Sequence, residues 1–139
     1  MKDSGVLFVD DDQDILRLIT IFFECEGMEV HCAASGEEAL LKIRERNFRL
    51  MVTDLDMPGL NGFELARQAG EMAPNMSIIM STGDLSPDIP RLAREAGIAG
   101  VFAKPFKFEK ILTMVEREER TESGGPSPGL WPPSPAGRG

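Results

Sequence analysis

Short apolar segments alternate with segments of helical period along the first 120 residues. An apolar run of about four to eight residues is typical of a buried strand, whereas apolar residues at i, i+3, i+4 and i+7 indicate an amphipathic helix. Alternation of the two is the pattern of βαβ units, in which helices connect the strands of a parallel sheet. The pattern therefore predicts an α/β fold built from five strand–helix pairs.

The predicted strands cover residues 6–9, 29–33, 50–53, 77–80 and 100–103. Helical stripes follow each strand, the first formed by Ile15, Leu18, Ile19 and Phe22 and the last by Phe108, Ile111, Leu112 and Val115. Asp12 or Asp14 can cap the first helix, and Ser35 with Glu38 matches a capping box before the second. Gly27 and Gly97 are placed to end two of the helices.

Composition changes sharply near residue 121. The last 19 residues hold five of the ten prolines and five of the fourteen glycines, together with Trp131, the only tryptophan. Such a segment cannot bury enough apolar surface to offset its ordering entropy. The chain is therefore divided into a folded domain at residues 1–120 and a Pro/Gly-rich tail or linker at 121–139, which is expected to be disordered.

The net charge and the cysteine content exclude some classes of function. The net charge of −8 argues against binding nucleic acid through its phosphates and against docking on anionic lipid. Cys25 and Cys32 do not form a metal-binding C-x-x-C, and we expect both to be reduced thiols. No signal peptide or apolar run of about 18 residues is visible. These features predict a soluble, cytoplasmic protein.

Polar side chains follow the predicted strands at the point where each one ends. Asp10, Asp11 and Asp12 follow the first strand, Asp54 the third, Ser81 and Thr82 the fourth, and Lys104 the fifth. Because the carboxyl ends of parallel strands meet at one edge of the sheet, we expect these groups to converge there. Chance would scatter them over both edges.

A cluster of Asp10, Asp11 and Asp54 needs a cation or a raised pKa. Two carboxylates about 4 Å apart repel each other by about 4 kcal/mol at an effective dielectric constant near 20. The hard oxygen ligands favour Mg²⁺ or Mn²⁺ over zinc. A carboxylate beside Mg²⁺ is a competent nucleophile toward phosphorus, and Lys104 and Thr82 could position and neutralise a phosphoryl group. The residues thus indicate phosphoryl-transfer chemistry.

Simpler interpretations exist for each residue taken alone. Acids before a helix stabilise its dipole, and one of Asp10 to Asp12 would suffice for that purpose. Lys104 could be a surface lysine, and Pro58-Gly59 and Asn61-Gly62 are ordinary turn dipeptides. The functional interpretation depends on the joint placement at four strand ends.

These motifs resemble the receiver domain of two-component response regulators over about residues 4–118. The matching segments are VDDD at 9–12, TDLDMPGLNGFEL at 53–65, TG at 82–83 and KPF at 104–106, in the order and at the spacing of that family. The resemblance implies a flavodoxin-like (βα)5 sandwich with a parallel sheet of strand order 2-1-3-4-5. It also implies phosphoprotein signalling in a two-component system.

The resemblance implies a role for each matching residue. Asp54 would be the phosphoacceptor, Asp11 a direct Mg²⁺ ligand, Asp10 a ligand largely through water, and Asp56 a ligand through its backbone carbonyl. Lys104 would pair with a phosphoryl oxygen and Thr82 would hydrogen-bond the phosphoryl group. Such domains are not conventional enzymes, but they catalyse their own phosphorylation and dephosphorylation.

The implied partners are a histidine kinase or histidine phosphotransfer protein and a downstream output domain or protein. The phosphoryl donor would contact the site edge and the first helix, including Ile15 and Leu16. Homodimerisation, the cognate kinase and the lifetime of the phosphorylated state stay open, as does whether the chain stands alone or is a fragment of a longer regulator or hybrid kinase.

One position departs from the family pattern. Three residues before the lysine the family usually has Tyr or Phe, which turns inward after the threonine, whereas this chain has Val101 followed by Phe102. A valine cannot switch between exposed and buried rotamers as a ring does. We therefore expect output through the fourth helix, fifth strand and fifth helix to be coupled atypically to Thr82 and Val101. A one-residue bulge that moves Phe102 to the switch position is the alternative.

Two other functions remain as alternatives. A pseudo-receiver would keep the fold as a phosphorylation-independent binding module, although such domains usually lose an acid, the acceptor or the lysine. A Mg²⁺-dependent phosphatase of the haloacid-dehalogenase type would use the D-x-D at 54–56 and the acidic GDLSPD at 83–88. In that class, however, the D-x-D follows the first strand and the lysine precedes the acidic motif.

Overall fold

The computed structural model describes residues 5–105 and 107–120, with side chains described through residue 115. Five strands form a single parallel sheet, each followed by a helix. The strands are β1 (Gly5–Val9), β2 (Val30–Ala33), β3 (Phe48–Asp54), β4 (Ser77–Thr82) and β5 (Gly100–Ala103). The helices are α1 (Gln13–Cys25), α2 (Gly36–Glu45), α3 (Gly62–Met72), α4 (Ile89–Glu95) and α5 (Phe108–Arg120).

The sheet has the strand order β2-β1-β3-β4-β5. β3 lies at its centre, paired in parallel with β1 on one side and β4 on the other. The chain therefore has the flavodoxin-like (βα)5 architecture that the resemblance implied, and this prediction is confirmed. The order of strands changes direction between β1 and β3, which places a crevice at their carboxyl ends.

Two hydrophobic layers hold the helices to the two faces of the sheet. Alternate strand residues such as Leu7 and Met51 pack with α2, α3 and α4, whereas their neighbours Phe8 and Val52 pack with α1 and α5. Both faces of a parallel sheet are covered by helices, which explains why the strands are continuous apolar runs rather than alternating ones. The core needs no disulfide, and both cysteines are free.

The helix starts follow local side-chain hydrogen bonds. Asp12 is the N-cap of α1, and Ser35 is the N-cap of α2, where its hydroxyl accepts from the Glu38 N–H. The predicted capping box at Ser35 is only half formed, because the Glu38 carboxylate accepts from the N–H of Ala34 instead. The complete capping box occurs at Asn61 before α3, where the sequence indicated only a turn.

The first helix differs from the predicted stripe. Leu16, Ile19 and Phe23 are its buried residues, whereas Leu18 is 53% exposed. Both sets have helical spacing, so periodicity alone cannot decide which face the sheet covers. Two strands also extend further than predicted, because β3 ends at Asp54 and β4 at Thr82. These extensions bring polar residues into the sheet itself.

The predicted disordered tail, residues 121–139, lies outside the described residues, and the division into 1–120 and 121–139 stays a prediction. Among the helices that are described, none combines the length and the apolar character needed to span a membrane.

Candidate functional site

The candidate site lies at the carboxyl edge of the sheet. Asp10 directly follows β1, Asp54 is the last residue of β3, Thr82 is the last residue of β4, and Lys104 directly follows β5. Parallel pairing in register brings these four strand ends to the same edge. These four sequence-predicted site residues therefore lie at the crevice that the strand order creates.

Three carboxylates form a compact cluster at this edge. One ligand oxygen from each of Asp10, Asp11 and Asp54 lies within 4.8 Å of the others. Asp10 and Asp54 are 5% and 6% exposed, whereas Asp11 faces solvent. At that separation each pair of ionised carboxylates repels by at least about 3.5 kcal/mol at an effective dielectric constant near 20. A hard divalent cation fits this donor set.

Lys104 crosses the site and contacts both buried acids. Its Nζ lies 3.2 Å from Asp54 Oδ1 and 3.3 Å from Asp10 Oδ2. Burial lowers the pKa of Lys104, but the charges and hydrogen bonds of Asp10 and Asp54 outweigh it, and the pKa is raised overall. The ammonium group therefore stays protonated and supplies one fixed positive charge at the site.

Asp54 is held in an environment that opposes its charge. Burial and the nearby Asp10 carboxylate raise the pKa of Asp54, although hydrogen bonding and charge attraction from Lys104 act in the opposite direction. One ammonium group is therefore not enough to neutralise the acids it contacts. A second cation would complete the balance of charge, which is the electrostatic argument for a metal at this cluster.

Thr82 connects the site to the β4–α4 loop, residues 83–88. Its side chain is 1% exposed, and its hydroxyl oxygen accepts a hydrogen bond of 2.9 Å from the Asp84 N–H. Asp84 in turn accepts from the N–H and the hydroxyl of Ser86. These bonds lower the pKa of Asp84 and hold the start of the loop against the end of β4.

Asp56 lies in the loop between β3 and α3, and its side chain is exposed. The loop is closed by a hydrogen bond of 2.9 Å from the Gly62 N–H to the Leu55 carbonyl. It also contains Gly59 with a φ of +79°, a conformation that favours glycine. The assignment of the Asp56 carbonyl as a metal ligand stays a prediction.

A family model described as the response regulator receiver domain matches residues 6–116. The chain belongs to the response regulator receiver family. It is 33% identical to the response regulator receiver protein CpdR of Brucella abortus over 118 residues, which covers 81% of this chain and 93% of that protein. Membership of this family argues against the alternative in which the chain is a phosphatase of the haloacid-dehalogenase type.

Solved structures of receivers have the same fold. A CheY-like receiver domain protein from Methanospirillum hungatei superposes with a TM-score of 0.81 at 32% identity, covering 88% of this chain and 100% of that one. A response regulator from Burkholderia pseudomallei superposes with a TM-score of 0.74 at 26% identity, covering 86% and 75%. The latter was solved with a phosphorylated aspartic acid, calcium ion and citrate.

Val101, which departs from the receiver pattern, and its neighbour Phe102 lie on opposite faces of the sheet. Val101 is half-buried against the layer with α2, α3 and α4, whereas Phe102 packs into the layer with α1 and α5. β4 and β5 pair without a bulge, with Met80 opposite Val101 and Ser81 opposite Phe102. The alternative in which a bulge moves Phe102 to the switch position is therefore wrong for this structure.

Ser81 is the site residue that sequence reasoning named only as part of a strand end. Its position in β4 places it on the same face of the sheet as Ile79, toward α1 and α5. It is 3% exposed and lines a small cavity next to Asp10. The available signal was the period of the strand, which becomes informative only when β4 is known to extend to Thr82.

Proposed function

We propose that this receiver domain accepts a phosphoryl group on Asp54 with the help of Mg²⁺. The observation that carries the proposal is the cluster of Asp10, Asp11 and Asp54 within 4.8 Å, with Lys104 in contact with both buried acids. Further support comes from the B. pseudomallei regulator, which carries a phosphorylated aspartic acid and a calcium ion. Asp10, Asp11, Asp54 and the backbone carbonyl of Asp56 would hold the metal, and Mn²⁺ has the same ligand preference.

Asp54, Lys104 and Thr82 would have different roles in the phosphoryl transfer. An Asp54 oxygen attacks phosphorus as the bond from phosphorus to the donor nitrogen breaks, and the bonding electron pair leaves with that nitrogen. Lys104 neutralises a phosphoryl oxygen and Thr82 donates its hydroxyl to another. The metal, when bound, supplies further neutralisation of the phosphoryl oxygens. Hydrolysis of the acyl phosphate at the same site would end the signal.

The proposed donor is a phosphohistidine on a histidine kinase or a histidine phosphotransfer protein in the cytoplasm. The proposed output is a change of the face formed by α4, β5 and α5, read by a partner or an output domain. Val101 offers no ring to follow Thr82. Movement of Thr82 toward the phosphoryl group would instead break its bond to the Asp84 N–H and release the β4–α4 loop.

Phosphorylation can be tested by intact-mass spectrometry after incubation with acetyl phosphate. We expect wild type to gain one phosphoryl group only when Mg²⁺ is present and Asp54→Asn to gain none. Asp56→Asn is the matched control, since it removes an exposed acid two residues after Asp54 and keeps the backbone carbonyl of Asp56. Loss of the adduct in Asp56→Asn but not in Asp54→Asn would contradict the assignment.

The same experiment separates the receiver from a pseudo-receiver. A protein that gains no phosphoryl group and binds no Mg²⁺ by calorimetry would be a phosphorylation-independent interaction module.

The proposal for the β4–α4 loop is tested by a crystal structure with a phosphoryl mimic such as beryllofluoride. We expect the Thr82–Asp84 bond to be broken there, and an inward turn of Phe102 would contradict the proposed route.

A further inference from the structure

A small cavity lies next to Asp10, on the side of the sheet that faces α1 and α5. Its volume of about 10 Å³ gives room for a single water molecule. Two of the lining side chains are polar and the others are apolar. The lining residues are Phe8, Val9, Asp10, Ile19, Val52 and Ser81.

Ser81 is one of the two polar residues that line this cavity. The residue is 3% exposed, and within the described part of the chain its hydroxyl makes no hydrogen bond to another protein group. A hydroxyl that lacks a protein partner is normally hydrogen-bonded to water, and a water molecule in this cavity would supply that bond. The other polar residue that lines the cavity is Asp10.

Asp10 has acceptor capacity left for such a water. Its Oδ1 accepts from the Asp12 N–H at 2.9 Å, and its Oδ2 accepts from Lys104 Nζ at 3.3 Å. An ionised carboxylate offers about four acceptor positions. Those two bonds leave acceptor positions on the Asp10 carboxylate for a metal, or for a water bound to the metal. They also leave a position for one further donor on the side of the cavity.

We propose that one water molecule in this cavity donates to the Asp10 carboxylate and hydrogen-bonds the Ser81 hydroxyl. Ser81 is then a positioning residue, which acts through the water to fix the orientation of Asp10 toward Lys104 and the metal. Ligand carboxylates are commonly held by such outer hydrogen bonds, whose loss weakens metal binding. The inference rests on the proposed Mg²⁺ function of the site.

The test compares two variants of the same shape in the full chain. Ser81→Thr keeps a hydroxyl and Ser81→Val replaces it with a methyl, and both are β-branched residues suited to a strand. We expect the Kd for Mg²⁺, measured by calorimetry with Mg²⁺ alone, to stay within about twofold in Ser81→Thr and to rise about tenfold in Ser81→Val. Ile19→Val is the control, since it alters an apolar wall of the same cavity and should leave the Kd unchanged.

A high-resolution crystal structure of the wild type supplies the second readout. We expect a water within hydrogen-bond distance of both Ser81 Oγ and Asp10. Equal Mg²⁺ affinities for the Thr and Val variants, or a wild-type structure with no water touching both groups, would overturn the inference. If wild type itself bound no Mg²⁺, the proposed function would fail, and the crystal structure would still decide whether the water bridge exists.

Discussion

Replacing Asp54 by asparagine should stabilise the metal-free protein at neutral pH. The substitution keeps the size of the side chain and an acceptor oxygen, but it removes a charge from a residue that is 6% exposed. Burial and the Asp10 carboxylate raise the pKa of Asp54 in spite of Lys104. The ionised form is therefore unfavourable in the folded state, and its removal should increase the free energy of unfolding.

The contacts set the size of the effect. Repulsion between Asp10 and Asp54, whose nearest ligand oxygens lie within 4.8 Å, is about 3.5 kcal/mol with an effective dielectric constant near 20. Burial of the ion costs several kcal/mol more. Attraction between Asp54 and Lys104 at 3.2 Å stabilises the ionised form by about 5 kcal/mol. After the substitution the ammonium group still has Asp10 as a partner. We expect a net gain of about 1 to 2 kcal/mol, or roughly 5 °C in Tm.

Thermal and urea unfolding in EDTA at pH 7 would measure this difference. Because the folded-state pKa of Asp54 is raised, the cost of its charge is absent at low pH and appears as the pH rises through that pKa. The stability gap should therefore close on acidification, and saturating Mg²⁺ should also narrow it by stabilising wild type. Asp56→Asn, which alters an exposed acid, should stay within about 0.5 kcal/mol of wild type.

An Asp54→Asn variant that is less stable than wild type at pH 7 in EDTA would refute the reasoning. That result would mean that the ion pair with Lys104 outweighs both burial and the repulsion from Asp10. A gap that widens on acidification would refute it as well, because the sign of the pKa shift would then be wrong.

Further perturbations test local features of the fold. Gly62→Ala should cost about 2 kcal/mol in urea unfolding, since its Cβ would lie 2.7 Å from a β3 carbonyl oxygen. Gly70→Ala in the same helix meets nothing within 4 Å and should instead stabilise by about 0.5 to 1 kcal/mol. Asn61→Ala should cost about 1 kcal/mol by removing the capping box, and Asn61→Asp should restore most of it. Burial raises the pKa of Cys32, so a thiol reagent at pH 8 should modify exposed Cys25 first, as mass spectrometry of digests would show.

The order of elements could be predicted from the sequence because buried parallel strands are continuous apolar runs. The segment from Leu50 to Thr53 has no polar side chain except its last, and the structure makes it part of β3 at the centre of the sheet. The convergence of Asp10, Asp54 and Lys104 follows from the same topology, because parallel strands bring their carboxyl ends to one edge. The receiver resemblance supplied the strand order.

The remaining features depend on tertiary contacts that periodicity does not carry. Leu18 and Leu16 both fit a helical stripe, and only packing against the sheet decides that Leu16 is buried. The distances from Lys104 to the two acids depend on side-chain rotamers at the end of β5. The role of Ser81 depends on a cavity whose walls come from α1, β1, β3 and β4, which no local pattern reveals.

Because β3 lies at the centre of the sheet, we expect different parts of the receiver to exchange their backbone amide hydrogens at different rates. The strand that ends in Asp54 is hydrogen-bonded on both edges, and the Leu55 N–H continues the ladder by donating to the Ser81 carbonyl. We expect these amides to exchange mainly through unfolding of the whole domain, whereas an exposed loop such as residues 83–88 should open locally at little cost. A phosphoryl group on Asp54 would therefore be attached to the strand whose amides exchange most slowly. The amides whose exchange it alters would instead lie in the loop after β4.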